Sequence, residues 1–208
     1  RRQIFTLQTD SPSRPHMAVS VFGLDTPPVQ IYSLKPALDT LTTHILNNEV
    51  WPDFTKINRP NGQRVFALNE LEENRDNKID DFVVHPVRVR HPVPTAGMVI
   101  TRDGKSVAYS ADTGTTDEFW DAVSDAPNLR ALIVEVSFPN SLQKLADITG
   151  HLTAGDLAKE LAKVRRPLNV PIIIFGVKPE YEKVIRQELK DLRIKDLEFP
   201  KTNKIYNL

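Results

Sequence analysis

Between residues 106 and 165 the chain gathers side chains of the kinds that transfer protons or hold a metal. Asp112 lies in the acidic turn ADTGTTDEFW, Glu135 in the apolar run LRALIVEVSF, and His151 in the tripeptide Gly150-His151-Leu152. LRALIVEVSF reads as a fully buried strand, and a carboxylate in its second half wants a partner. His91 follows Val87-Arg88-Val89-Arg90, whose alternation predicts a half-buried strand. No other part of the chain puts charged and small residues where a binding site needs them.

The elements that must position these residues can be read in order. Strands are expected at 29–34 (VQIYSL), 64–68 (RVFAL), 82–90 (FVVHPVRVR), 97–101 (GMVIT), 106–110 (SVAYS), 129–138 and 170–175 (VPIIIF). The turn Arg102-Asp103-Gly104-Lys105 makes GMVIT and SVAYS a hairpin. Leu38, Leu41, Ile45 and Leu46 form the apolar stripe of a helix over 35–48 that ends at Trp51-Pro52-Asp53-Phe54. Thr115 with Glu118 predicts a capping box before Phe119 and Trp120, and Thr153 with Asp156 another before Leu157, Leu161 and Val164. Residues 140–148 and 178–192 read as further helices, and 197–208 as a turn with an edge strand. Residues 69–81 read as a solvated acidic loop. Residues 1–28 are expected to be an irregular leader, with a possible strand in QIFTL, a turn in TDSPSRP and MAVSVFGL open between strand and helix; 29–208 are expected to form one domain. Hairpins in the middle and alternating strands and helices afterwards predict a layered α/β or α+β domain with a mixed sheet. Asp112, Glu135, His151 and Gly176 all fall at or just beyond strand ends, where such sheets place their sites.

Composition narrows the function classes. Lys plus Arg and Asp plus Glu are equal at 27 each, so no global field points to a nucleic acid or an anionic membrane as partner. There are no cysteines, which excludes disulfides, thiolate zinc sites and cysteine nucleophiles. No apolar run reaches the roughly 18 residues of a membrane span, and the N-terminus lacks an apolar secretory core. The chain is read as cytoplasmic.

SADTGTTDEFW followed by NLRALIVEVSFPNSLQKLADITGHLTAGDLAKEL resembles the class II cyclic-nucleotide phosphodiesterases of the metallo-β-lactamase superfamily. IYSLKPALDTLTTHILNNEVWPDFTKI, RHPVPTAGMVI and VPIIIFGVKPEYEKVIRQEL extend the similarity from about residue 29 to the C-terminus. The resemblance implies an αββα sandwich and hydrolysis of cyclic AMP or cyclic GMP with two metals, zinc or manganese. It places a metal-binding histidine at His91 and the bridging aspartate at Asp112. It makes His151 the histidine that approaches the phosphate and Glu135 the carboxylate that orients it. Structural readings stand beside these: Asp112 shapes a tight turn, His91 is a strand-end histidine bonded to backbone, and Glu135 with His151 ties a strand to a helix N-terminus. His44 and His85 read as structural or exposed, and His16 is uninformative. Lys178, Arg165 and Arg166 read as solvated cations that could also meet a phosphate.

The departures carry equal weight. The His-x-His-Leu-Asp-His motif is absent, and none of the five histidines has a neighbour at that spacing. The family's His-x-Lys-Pro reads Gly176-Val177-Lys178-Pro179, and its Gly-Asp-Thr-Gly begins with Ala111. Each metal needs roughly three or four protein ligands, and the resemblance supplies His91 and the shared Asp112. One expectation is therefore a degenerate domain without its first strands and possibly without a metal, acting as a binding or assembly module with a protein partner or as a homo-oligomer. The other is part of an active phosphodiesterase, completed by an N-terminal segment or a partner chain.

Overall fold

The alternation of β-branched residues with polar ones builds two sheets. A computed structural model of the protein describes residues 5–6, 27–200 and 205–206. The chain divides into two units, Arg1–Glu72 and Glu73–Leu208.

In the first unit β2 (Val29–Ser33) pairs in parallel with β1 (Phe5–Thr6) and with β3 (Phe66–Glu70). The expected helix over 35–48 is shorter and less regular. It runs as α1 (Lys35–Thr40) and then as a π-helical turn, Leu41–Ile45. The hydroxyls of Thr40 and Thr42 donate to carbonyls of the preceding turn, bonds that compete with the regular ladder. Its stripe is nevertheless the predicted one, with Leu38, Leu41 and Leu46 buried around Ile31, Phe54 and Phe66. The turn in TDSPSRP, the run MAVSVFGL and His16 lie outside the described residues.

The second unit holds a seven-stranded sheet in the order β10-β9-β8-β7-β6-β5-β4. The four strands β4 (Asn77–Ile79), β5 (Phe82–Arg88), β6 (Ala96–Arg102) and β7 (Lys105–Tyr109) form an antiparallel meander. Asp103 (φ 51°) and Gly104 (φ 70°) make the β6–β7 turn in the left-handed conformation that a tight hairpin requires. After α2 (Glu118–Asp125) the strands become parallel: β8 (Leu129–Glu135), β9 (Ile172–Phe175) and β10 (Leu197–Glu198). Between β8 and β9 lie a 3-10 turn (Asn140–Leu142), α3 (Gln143–Thr149) and α4 (Ala154–Leu161). A second 3-10 turn (Pro179–Tyr181) and α5 (Glu182–Asp191) follow β9. This is the mixed α/β class expected from the sequence.

Period-two alternation along β8 decides where the chemistry can go. Leu132 and Val134 join Ile172 and Ile174 in a core with Phe119 and Trp120 of α2, Leu157 of α4 and Ile185 of α5. Ile133 and Glu135 therefore point to the opposite face of the sheet. Two expectations need correction. Part of the acidic run at 69–81 is ordered as the edge strand β4, because Ile79 is buried and the Asn74 amide donates to the Pro86 carbonyl. The capping box from Thr115 to Glu118 does not form, because α2 starts later, with Asp117 and not Thr115 at its N-cap position.

The box at Thr153 is complete, its hydroxyl accepting from the Asp156 amide while the Asp156 side chain reaches back to the Thr153 amide. Thr153→Ala is expected to cost about 1 kcal/mol in urea unfolding, the ordinary value of a helix cap. Burial raises the Asp156 pKa, but hydrogen bonds from Gln143, Thr153 and Lys159 outweigh it and hold the group below its usual value. A lowered folded pKa stabilises above the usual carboxylate pKa, and the contribution disappears as pH falls through the folded value. Asp156→Asn should therefore flatten the acid limb of the stability curve below about pH 5, measured by urea unfolding at stepped pH.

Candidate metal centre

Three separate segments deliver three ligating side chains to one point. His91 follows β5, Asp112 follows β7, and His151 lies between α3 and α4. One ligand atom from each residue lies within 4.8 Å of the other two. All three side chains are half-buried.

Arg90 holds the three segments together. Its carbonyl accepts the Gly114 amide at 2.8 Å, which fixes the loop that carries Asp112. Its guanidinium donates to Thr115 Oγ1 at 3.4 Å and to the Asp147 carbonyl at 3.2 Å, near the end of α3. Gly150 completes the approach. It ends α3 at φ 67°, and a Cβ there would meet Pro92 Cδ at 2.8 Å and His91 Cα at 3.0 Å. Only glycine lets the His151 loop reach the His91 loop this closely.

Glu135 orients His151. Its carboxylate is fully buried, with Oε1 2.7 Å from His151 Nδ1 and Oε2 accepting the Leu152 amide at 2.9 Å. Burial pushes the Glu135 carboxyl up, opposed by its bonds with His151, Ser137 and Leu152. Burial pulls His151 down, but the bond and charge of Glu135 outweigh it, Asp112 adds to them, Lys178 opposes, and the imidazole rises above its usual value. The proton between the pair belongs on Nδ1, where the carboxylate accepts it, and Nε2 is the atom left for a ligand or substrate. The His91 ring packs edge-on to His151, with centroids 5.3 Å apart, and its Nδ1 lies 3.3 Å from Thr95 Oγ1. The strand-to-helix tie read from the sequence is present in these two bonds.

Two imidazoles and a carboxylate are a donor set that suits zinc or manganese. Gly176 is different. It sits at φ 76°, and a Cβ there would lie 3.0 Å from Glu135 Cγ. Arg90 as an organiser and Glu160 are both missing from the residues singled out in the sequence. The Glu160 carboxylate is 1% exposed and accepts Trp120 Nε1 at 2.6 Å and the Thr116 amide at 3.0 Å, bracing the loop after Asp112. Its signal was a charge three residues after Leu157 on an apolar helix stripe. Arg165, Arg166, His85 and His44 are not among the gathered side chains. Arg165 pairs with Asp121 and Asp125, Arg166 donates to the Val123 carbonyl, His85 contacts Asp76 at 2.9 Å, and His44 is exposed.

The family model for the β-lactamase superfamily domain matches residues 38–172. Ribonuclease Z of Borrelia garinii subsp. bavariensis is 28% identical over 130 residues, 62% of this chain and 36% of that protein. Ribonuclease Z of Borreliella afzelii is 33% identical over 100 residues, 48% of this chain and 29% of that one. The chain spans about a third of the length of these curated relatives. Unliganded yeast PDE1 superposes with a TM-score of 0.70 at 21% identity, over 84% of this chain and 58% of that one. The short form of human tRNase Z gives 0.62 at 15%, over 95% of this chain and 76% of that one. At such identities the likeness to solved structures shows the fold alone.

Ala111 carries φ 54°, a conformation that costs an L-residue roughly 1–2 kcal/mol. Ala111→Gly is thus expected to be neutral or stabilising by up to about 1 kcal/mol, after the entropic cost of glycine, in denaturant unfolding. Gly176→His, which restores the residue that the resemblance expects, should lower the melting temperature without raising metal content, since the side chain meets both a left-handed φ and Glu135. A rise in bound metal with unchanged melting would contradict this.

Proposed function

Because the chain belongs to the β-lactamase superfamily, we propose that His91, Asp112 and His151 are its share of a metal-dependent centre that hydrolyses phosphodiesters. The convergence of these three side chains from three loops carries the reading. Glu135 strengthens it, because burying a carboxylate costs several kcal/mol unless its bonds recover the loss. His91 and Asp112 would hold the ion. When bound, zinc or manganese supplies a Lewis acid and a source of hydroxide near neutral pH. His151, fixed by Glu135 through Nδ1, is placed to give a proton from Nε2 to the departing oxygen. His91 and Asp112 are two of the three or four protein ligands that an ion needs, and the others would come from beyond this cluster. Cyclic AMP is the substrate class that the sequence resemblance favours, and the ribonuclease Z relatives make the same bond in RNA its competitor.

Gly176 favours a second reading, a domain that binds without hydrolysing. It stands where the resemblance expects a ligand, in a backbone conformation suited to glycine.

Metal content by plasma mass spectrometry, with hydrolysis of cyclic AMP, bis(p-nitrophenyl) phosphate and a short RNA on the same sample, separates the two. The phosphodiesterase reading expects bound zinc or manganese that falls in His91→Ala and Asp112→Ala. His151→Ala should lower kcat by about 100-fold or more, the usual contribution of general acid catalysis. Absent metal and no turnover after zinc or manganese addition would leave the binding-module reading.

A further inference from the structure

Lys178 is a basic residue beside the centre that no part of the proposed chemistry uses. It follows β9 and precedes the 3-10 turn Pro179–Tyr181. Its backbone is fixed: the Lys178 carbonyl accepts the Tyr181 amide at 2.9 Å, and two residues earlier the Gly176 carbonyl accepts Ser137 Oγ at 3.0 Å. Pro179 adds stiffness at the next position.

The side chain is half-buried, with Nζ 5.1 Å from the centroid of the Phe138 ring. Phe138 in turn packs edge-on to His151, centroids 5.7 Å apart, and against Tyr181 at 6.1 Å. Phe138 is 5% exposed, so it is a support and not a stacking platform. Among the described residues no carboxylate pairs with Lys178. Asp112 and Glu135 act on His151 from one direction of charge, and Lys178 is the cation that acts against them.

This placement is unfavourable for the protein alone. A half-buried ammonium without a carboxylate partner has only the Phe138 ring face against its loss of water. A phosphate oxygen supplies the opposite charge that the ring face lacks. Lysine is suited to such a role, since its ammonium serves as a compact point charge for phosphate oxygens without demanding bidentate geometry.

We propose that Lys178 is the anion-binding residue of this centre, held by Phe138 so that its ammonium takes a non-bridging phosphate oxygen while His151 faces the departing oxygen. This deepens the phosphodiesterase reading and rests on it for the identity of the substrate. It also predicts that the site retains its phosphomonoester product, whose greater negative charge the ammonium favours.

Inorganic phosphate is the probe, titrated calorimetrically into the full chain after chelation and again after zinc loading. The wild type should bind phosphate in both states, more weakly as ionic strength rises. Lys178→Ala should weaken binding about tenfold or more, and Lys178→Arg should keep it within about threefold, as a charge-assisted contact implies. Lys178→Met keeps the stem against Phe138 and must lose affinity like the alanine variant, with an unchanged melting temperature. Equal phosphate affinity in wild type and Lys178→Met, in either metal state, overturns the proposal, as does a wild type that binds no phosphate. Lys178-dependent binding in a chain that takes up no metal and shows no turnover would support this anion site and remove the phosphodiesterase reading. Hydrolysis whose kcat/KM is unchanged in Lys178→Met would do the reverse.

Discussion

The contact between Glu135 and His151 is the one on which the other features of the second unit depend. A carboxylate on a buried central strand is tolerated only if its oxygens are bonded. Here one oxygen meets an imidazole and the other a backbone amide, and both partners lie on the single loop between α3 and α4. The same loop returns the favour through its backbone. The Leu152 carbonyl accepts the amides of Ser137 and Phe138, which extend β8. Strand end and loop are thus locked together by main chain and side chain at once, and the histidine ring is oriented by a group that cannot move.

Close backbone approach supplies what side chains could not. The loops that carry His91 and His151 meet at Gly150, and those that carry His91 and Asp112 meet at the Gly114 amide. The Ser110 hydroxyl accepts the Glu135 amide at 3.0 Å, so the segment leading to Asp112 is tied to the strand that carries Glu135. Ala111 then turns through a left-handed conformation to present Asp112. Backbone strain of this kind collects where surrounding bonds over-determine a loop, and the loops of this centre have such bonds on every side.

Charge around the centre is graded. Glu135 is sealed in, His91, Asp112 and His151 are half-buried, and Lys178 lies against a ring that packs on His151. Groups in a partly desolvated pocket interact more strongly than the same groups in water, so a few residues set the local field. Among the described residues no helix is long and apolar enough to cross a membrane.

Much of the fold was legible because its signals are local. The Asp103-Gly104 turn, the apolar stripe at Leu38, Leu41 and Leu46, the buried run before Glu135 and the cap at Thr153 each depend on residues within one or two turns of chain. Sequence also marked Glu135 as a charge in need of a partner, and with His91, Asp112 and His151 it named the residues that the structure gathers. What sequence could not fix were effects that act at a distance. Glu160 reaches Thr116 across 44 positions and braces the loop before α2, and β4 is a strand only because β5 lies beside it. Arg90 is an ordinary surface arginine until three loops converge on it, and Lys178 an ordinary solvated lysine until Phe138 is placed beneath it. Residue type and short spacing therefore determined the elements and the chemical inventory. Only the tertiary structure decided which groups share one small volume, because contacts between distant segments have no periodic trace in the chain.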